Sequence, residues 1–362
     1  MRSAWLLCLL LISAPAAAFD AILSGSASVD YRFISGINPP QNPSPLGING
    51  LTFEVAQKVV AEVGHGVSFT VKACGGCHGL EIDQGFGEVR FNKFLNLRVG
   101  RINVPFGEFT LRHDPANFAT PSKPLPYAMG DMLWYGDEGF NLAIVPAPYV
   151  DNGVETFGSL SLSEKTQLDY TVYVVKGLTG DNDIDFARSR AYLDNNRTPS
   201  FGGRVVLTGD DWAIGGSINA GVYDPNDKLW NIMGGLEFYA RLGQFIFRAE
   251  VLARRTELDP NVDGYRFTLD PSFTKWGWYG QVDWSPREEL TFVFRSDGLQ
   301  RIGLPLPASQ LSPSAGALRQ TAAMLVRTHE HFAFKLDYEL WTFSGAPFET
   351  RHVARLGLVV GY

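Results

Sequence analysis

The chain ends in a strand-like stretch whose final residue is aromatic. Counting back from that end, Tyr362, Val360, Leu358, Leu356 and Ala354 occupy every second position, with Gly361, Val359, Gly357 and Arg355 between them. A period of two puts alternate side chains on opposite faces of a strand. The same pattern recurs along the whole chain. In 20–33, Ala21, Leu23, Ala27, Val29, Tyr31 and Phe33 oppose Ser24, Ser26, Ser28, Asp30 and Arg32. Leu168, Tyr170, Val172 and Val174 lie against Asp169, Thr171 and Tyr173. Phe245, Phe247, Ala249, Val251 and Ala253 oppose Arg248, Glu250 and Arg254. Phe332, Phe334, Leu336, Tyr338 and Leu340 oppose Lys335, Asp337 and Glu339. Strands that are greasy on one face and charged on the other suit a closed barrel, with lipid outside and water inside.

Composition supports that reading. Aromatic residues make up 13% and glycines number 38, yet the mean hydropathy is near zero. A helical membrane protein would be far more apolar, whereas a barrel hides its apolar half in the alternation. No segment beyond the N-terminus approaches the roughly 18 apolar residues of a transmembrane helix. Met1-Arg2, the apolar run Trp5–Ile12 and Ala16-Ala17-Ala18 together read as a secretory signal peptide, 1–18, leaving 19–362 as the barrel. The net charge of −7 gives no basic footprint for nucleic acid.

Turn signals alternate between short and long, as in bacterial outer-membrane barrels. Short ones include Gly64-His65-Gly66, Gly209-Asp210-Asp211 and His329-Glu330-His331; long ones fall at 35–48, 106–152, 177–200, 257–272 and 303–316. The fold expected is all-β, a transmembrane antiparallel barrel of about sixteen strands, an even number that returns both ends to the periplasm. The expected spans are 20–34, 49–62, 67–74, 77–90, 95–105, 153–162, 168–176, 201–208, 211–222, 229–240, 244–256, 273–284, 289–300, 317–328, 332–343 and 352–362. Arg248, Glu250, Arg254, Lys335, Asp337 and Glu339 are then expected to line a water-filled pore.

The segment Leu95–Gly107, LNLRVGRINVPFG, resembles the strand-to-loop passage of the phosphate-selective porins O and P and their wider relatives. The likeness is specific over these residues and general over the order of strands and turns. It implies a pore whose long third loop, here 106–152, folds inward and narrows the channel, and an assembly as a homotrimer. Phosphate selection would need Arg or Lys rings at the narrow point. This loop instead carries Arg112 and Lys123 against Glu108, Asp114, Asp131, Asp137, Glu138 and Asp151. Phosphate specificity is therefore not carried over, and the loop's acidity leads one to expect a weak preference for cations.

One chemical motif stands out. Cys8 leaves with the signal peptide, so Cys74 and Cys77 are the only mature cysteines, and they open Cys74-Gly75-Gly76-Cys77-His78. C-x-x-C-H in an exported protein reads as c-type haem attachment, with two thioethers and His78 as proximal iron ligand. His113 on the third loop is the leading second ligand, on the same side of the barrel. The competing reading is a hairpin turn at Gly75-Gly76 that sets Cys74 opposite Cys77 for a disulfide; a different metal is the third. In the hairpin reading Cys74, Cys77, Glu81 and Asp83 face the lumen while Leu80, Ile82 and Phe86 face lipid. Fused cytochrome–porins are similar in kind, with one such motif on a sixteen-stranded barrel, but place it before the barrel.

No hydrolase triad, phosphate loop or zinc-protease signature is present, so no enzymatic activity is expected. The function expected is an outer-membrane channel for small hydrophilic solutes or ions, carrying one haem c at its outer mouth. The alternatives are a monohaem electron-transfer protein and a structural barrel with a Cys74–Cys77 disulfide.

Overall fold

The computed structural model describes residues 20–35, 50–76, 79–129, 132–135, 138–141, 143–181, 183–259, 270–303, 312–345 and 348–362. The signal peptide, Cys77 and His78 lie outside them, as do Asp131 and Asp137.

The alternating segments form a closed antiparallel barrel of sixteen strands. The first half is β1 Asp20–Ile34, β2 Gly50–Gly64, β3 Val67–Gly76, β4 Gly79–Arg90 and β5 Asn96–Asn103, followed by β8 Val150–Ser161, β9 Gln167–Val175 and β10 Ser200–Thr208. The second is β11 Trp212–Val222, β12 Trp230–Leu242, β13 Phe245–Glu257, β14 Ser272–Arg287, β15 Leu290–Ile302, β16 Gly316–His329, β17 Phe332–Ser344 and β18 Arg351–Gly361. Between β5 and β8 the third loop carries a small hairpin of its own, β6 Met132–Tyr135 and β7 Glu138–Asn141. All sixteen expected spans are barrel strands, with ends within a few residues of those expected. The terminal alternation closes the ring: Val29 pairs with Leu358 and Tyr31 with Leu356.

The apolar faces look outward. Leu23, Phe53, Val172, Leu236, Phe294 and Leu336 are all exposed. Phe245, Trp284 and Phe292 stack at one rim, with centroids 6.3 and 5.5 Å apart, as an interfacial aromatic girdle does. An apolar belt on a closed sixteen-stranded barrel places the chain in a bacterial outer membrane.

One face assignment is corrected. Lys72 pairs with Gln84 but Ala73 with Ile82, so Asp83 is the extra residue of a β-bulge. The phase of β4 slips there. Leu80 and Ile82 face out as expected, but Phe86 turns inward beneath the Arg98 guanidinium, 4.7 Å from its centroid.

The barrel is not hollow. Residues 104–129 and 143–149 fold into the lumen and bury Phe106, Phe109, Leu125, Tyr127 and Ile144 there. The loop after β9 does the same in part: Leu178 and Phe186 join that interior cluster.

Candidate functional site

The third loop leaves β5 through Pro105-Phe106-Gly107, and glycine is required at the last position. Gly107 has φ +70°, and a Cβ there would lie 2.1 Å from Tyr127 Oη and 2.7 Å from Glu250 Oε2. The backbone can therefore pass close over Glu250, which is the loop's main anchor. Glu250, on β13, is 2% exposed. Its carboxylate accepts from the N–H groups of Glu108 and Phe109 at 3.1 and 3.0 Å, from Tyr127 Oη at 2.5 Å and from Tyr279 Oη at 2.6 Å. Four donors on one carboxylate compensate its removal from water.

The rest of the loop is held by inward charges on later strands. Arg254 donates to Ile144 O at 3.0 Å. Lys335 donates to Pro115 O at 2.6 Å and also to Phe118 O. Asp337 accepts from Ser122 Oγ at 2.7 Å. Asp297 accepts from Leu125 N–H at 3.0 Å and pairs with Arg319, which reaches Glu339 at 3.3 Å. Of the six residues expected to line the pore, all point inward, but Glu250, Arg254, Lys335, Asp337 and Glu339 are buried. They clamp the loop to the wall instead of bathing in the channel. Alternation gives the direction of a side chain but not what fills the space it enters. Arg248 does look into open space, paired with Asp283.

On the β3–β4 side, Lys72 lies 2.6 Å from Asp114 and 3.2 Å from Asp83. His113 is 2% exposed; its Nδ1–H donates to Thr110 O at 2.6 Å and its Nε2 accepts from Lys72 Nζ at 3.1 Å. Burial, and then the Lys72 charge, push the His113 imidazole below its ordinary range. Burial alone would raise Asp114, but its close neighbours His113 and Lys72, the latter with a direct hydrogen bond, outweigh it and hold the carboxyl low. The Cys74 thiol donates to Asp83 Oδ2 at 3.5 Å, and His113 Nε2 is 3.8 Å from the same atom. The fold thus brings Cys74 and His113 to one carboxylate. An iron ligand needs a free ring nitrogen, however, and both of His113's are engaged. His65, His329 and His331 sit on turns at the opposite end, as expected.

Two cavities flank loop segment 114–123, both against the β1–β3 wall. The outer, about 270 Å³, is bordered by Arg32, Glu54, Cys74, Glu81, Lys123 and Arg190. The inner, about 540 Å³, presents Lys58, Lys72, Arg112, Arg248, Arg327 and Lys335 against Asp114, Asp283 and Glu330. Two of those acids are paired with cations, Asp114 with Lys72 and Asp283 with Arg248, while the exposed Glu330 lies 3.5 Å from His331. Lys58 and Arg327 face no carboxylate partner among the described residues. Two further acids of this loop whose side chains are described are also partnered. Glu108 pairs with Arg112 at 2.6 Å, and Asp151 lies 3.9 Å from Lys176 and accepts from Gly177 N–H at 2.7 Å. Local pairing thus offsets the formal charge of Glu108, Asp114 and Asp151, three of the acids on which the expectation of a cation-attracting loop rested.

No protein-family model matches the chain, and no curated protein sequence matches it. Solved structures do. The anion-selective porin from Comamonas acidovorans superposes with TM-score 0.62 at 10% identity, over 95% of this chain and 100% of that one. OmpT, an outer-membrane protein of Vibrio cholerae, gives 0.59 at 8% over 96% and 99%. The outer-membrane channel DcaP of Acinetobacter baumannii gives 0.58 at 10% over 96% and 99%. The shared feature at these identities is the barrel fold.

Sequence reasoning missed the Glu250 anchor and the inward course of 177–199. The first had a faint signal: Glu250 is directly opposite Tyr279 on the neighbouring strand, a lumen-facing acid beside a phenol rather than a cation. The second had the single-turn helix Phe186–Ser189, capped by Asp185 accepting from Ala187 and Arg188 N–H. Such a cap says where a turn begins, not that it lies inside a barrel.

Proposed function

We propose that this protein is a passive outer-membrane channel for small hydrophilic solutes, narrowed by its third loop and weakly selective for anions. The observation that carries this is the inner cavity, where Lys58 and Arg327 face no carboxylate partner among the described residues while Lys72, Arg112 and Arg248 are each paired with an acid. Fixed positive charge in a narrow, low-dielectric passage concentrates anions and repels cations. The test is a planar bilayer separating a tenfold KCl gradient. Stepwise conductance with a reversal potential of the anion-selective sign is expected. A cation-selective sign overturns the charge argument, and a silent protein overturns the channel. We further propose a homotrimeric assembly, in keeping with a form of Vibrio cholerae OmpT described as a trimer. Chemical crosslinking in detergent reads it directly.

A further inference from the structure

The barrel wall has a seam between β4 and β5. Their ladder runs only from Gly85↔Arg101 to Arg90↔Asn96, so 79–84 of β4 has no strand partner on that side among the described residues. Side chains close the gap. Ile82 O accepts from Arg101 Nε at 3.0 Å and from Tyr192 Oη at 3.3 Å. Arg101 also donates to Arg190 O at 2.8 Å and lies 4.6 Å over the Tyr192 ring. Asn152 fixes the Tyr192 carbonyl at 2.8 Å, and Arg190 reaches inside to Glu81.

Arg101 is the anomaly. It is on the outward face of β5, in phase with Leu97 and Val99, where lipid-facing barrels disfavour charge. It is 4% exposed, and its Nη1 is buried with no hydrogen-bond partner among the described residues. No carboxylate of the described residues lies within ion-pair distance of it; the acid its charge reaches, Asp151, is buried and already held by Lys176 and Gly177 N–H. A buried cation with an idle donor calls for an anion. Around it are apolar groups standing free: Leu80 is 84% exposed, Leu193 83% and Tyr192 57%. Directly behind lies the outer cavity, whose wall includes Gly79, Glu81 and Arg190.

We propose that this seam is a side entrance for a single-chain anionic amphiphile. Its carboxylate or similar head pairs with Arg101, its acyl chain lies along Leu80, Ile82 and Leu193, and displacement of Tyr192 opens the way into the outer cavity. This route is separate from solute passage along the barrel axis. The experiment uses the full-length protein in nanodiscs of zwitterionic lipid. The probes are a twelve-carbon fatty acid with a terminal diazirine and the matching uncharged alcohol. The acid should label Leu80, Tyr192 or Leu193 saturably, as read by mass spectrometry, and unlabelled lauric acid should compete. Arg101→Gln should weaken labelling about tenfold, the worth of a hydrogen bond to a charged group, and Arg101→Lys should restore part of it. Tyr192→Ala should speed labelling. Heat-dependent gel mobility confirms that each variant is folded. Labelling spread evenly round the apolar belt, or equal for the alcohol, or unchanged in folded Arg101→Gln, overturns the proposal. Conductance recorded on the same preparations tells a failure of this proposal apart from a failure of the channel.

Discussion

Removing the Glu250 carboxylate should unseat the third loop without unmaking the barrel. Three of its four donors belong to the loop: Glu108 N–H, Phe109 N–H and Tyr127 Oη. A hydrogen bond to a charged group contributes about 1.5–3 kcal/mol, so these contribute roughly 4–9 kcal/mol to loop attachment. Glu250→Gln keeps one acceptor oxygen and turns an amide donor toward donors, which should forfeit about half. At about 1.4 kcal/mol per factor of ten, the detached population rises at least tenfold. The barrel ladder is untouched, because Glu250 pairs through its backbone with Glu237 and Tyr279 as before. Single-channel recording should show strong open-state noise and brief excursions to higher conductance. Glu250→Ala should be worse, leaving three loop donors buried. Quiet traces from a folded Glu250→Gln protein, superimposable on the wild type, would refute the anchoring argument.

Gly107→Ala should give the same noise by another cause, because φ +70° strains any side chain and the new Cβ meets Tyr127 Oη; left-handed strain alone is about 1–3 kcal/mol. Lys58→Gln with Arg327→Gln should move the reversal potential towards zero while leaving unitary conductance nearly unchanged, and an unmoved potential counts against the inner-cavity charge. Acid should loosen the loop in two stages. His113 is held below 6.5, so its neutral form is the one the fold favours, and attachment is full above that value and weakens as pH falls past it. Asp114 is held below 3.8, so its contribution persists above that value and goes only in stronger acid. Noise should therefore rise first below pH 6.5, and His113→Gln should abolish that first stage. Covalent haem on Cys74, Cys77 and His78 predicts a haem stain that survives denaturation and vanishes in Cys74→Ser with Cys77→Ser; unstained wild-type protein ends that reading.

The barrel was legible because period two is a local rule, and sixteen strands obey it one at a time. The one slip, at Phe86, follows from a bulge at Asp83 that shifts the phase without any glycine or proline to mark it. The site was less legible. Pro105-Phe106-Gly107 announced the inward loop, and alternation gave the direction of Glu250, Lys335 and Asp337. What those groups touch depends on a loop as far as 220 residues away in sequence, and no local pattern encodes that. The formal charge of the third loop is incomplete for the same reason, since it cannot show that Lys72, far off on β3, neutralises Asp114.

The clamp has a consequence for assembly. The anchors of the third loop come from both halves of the chain: Glu250 on β13, Asp297 on β15, Arg319 on β16 and Lys335 on β17, with Lys72 on β3 and Ser217 on β11. Neither half of the sheet alone therefore offers the loop a complete seat. A nascent sheet ending at β12 would hold its neighbours' backbone but leave Phe109, Leu125 and Tyr127 without walls. The turn at Pro115–Asn117 rests against both β1 and β18, the two strands whose pairing closes the ring, so the narrowing of the passage and the closure of the barrel are one event.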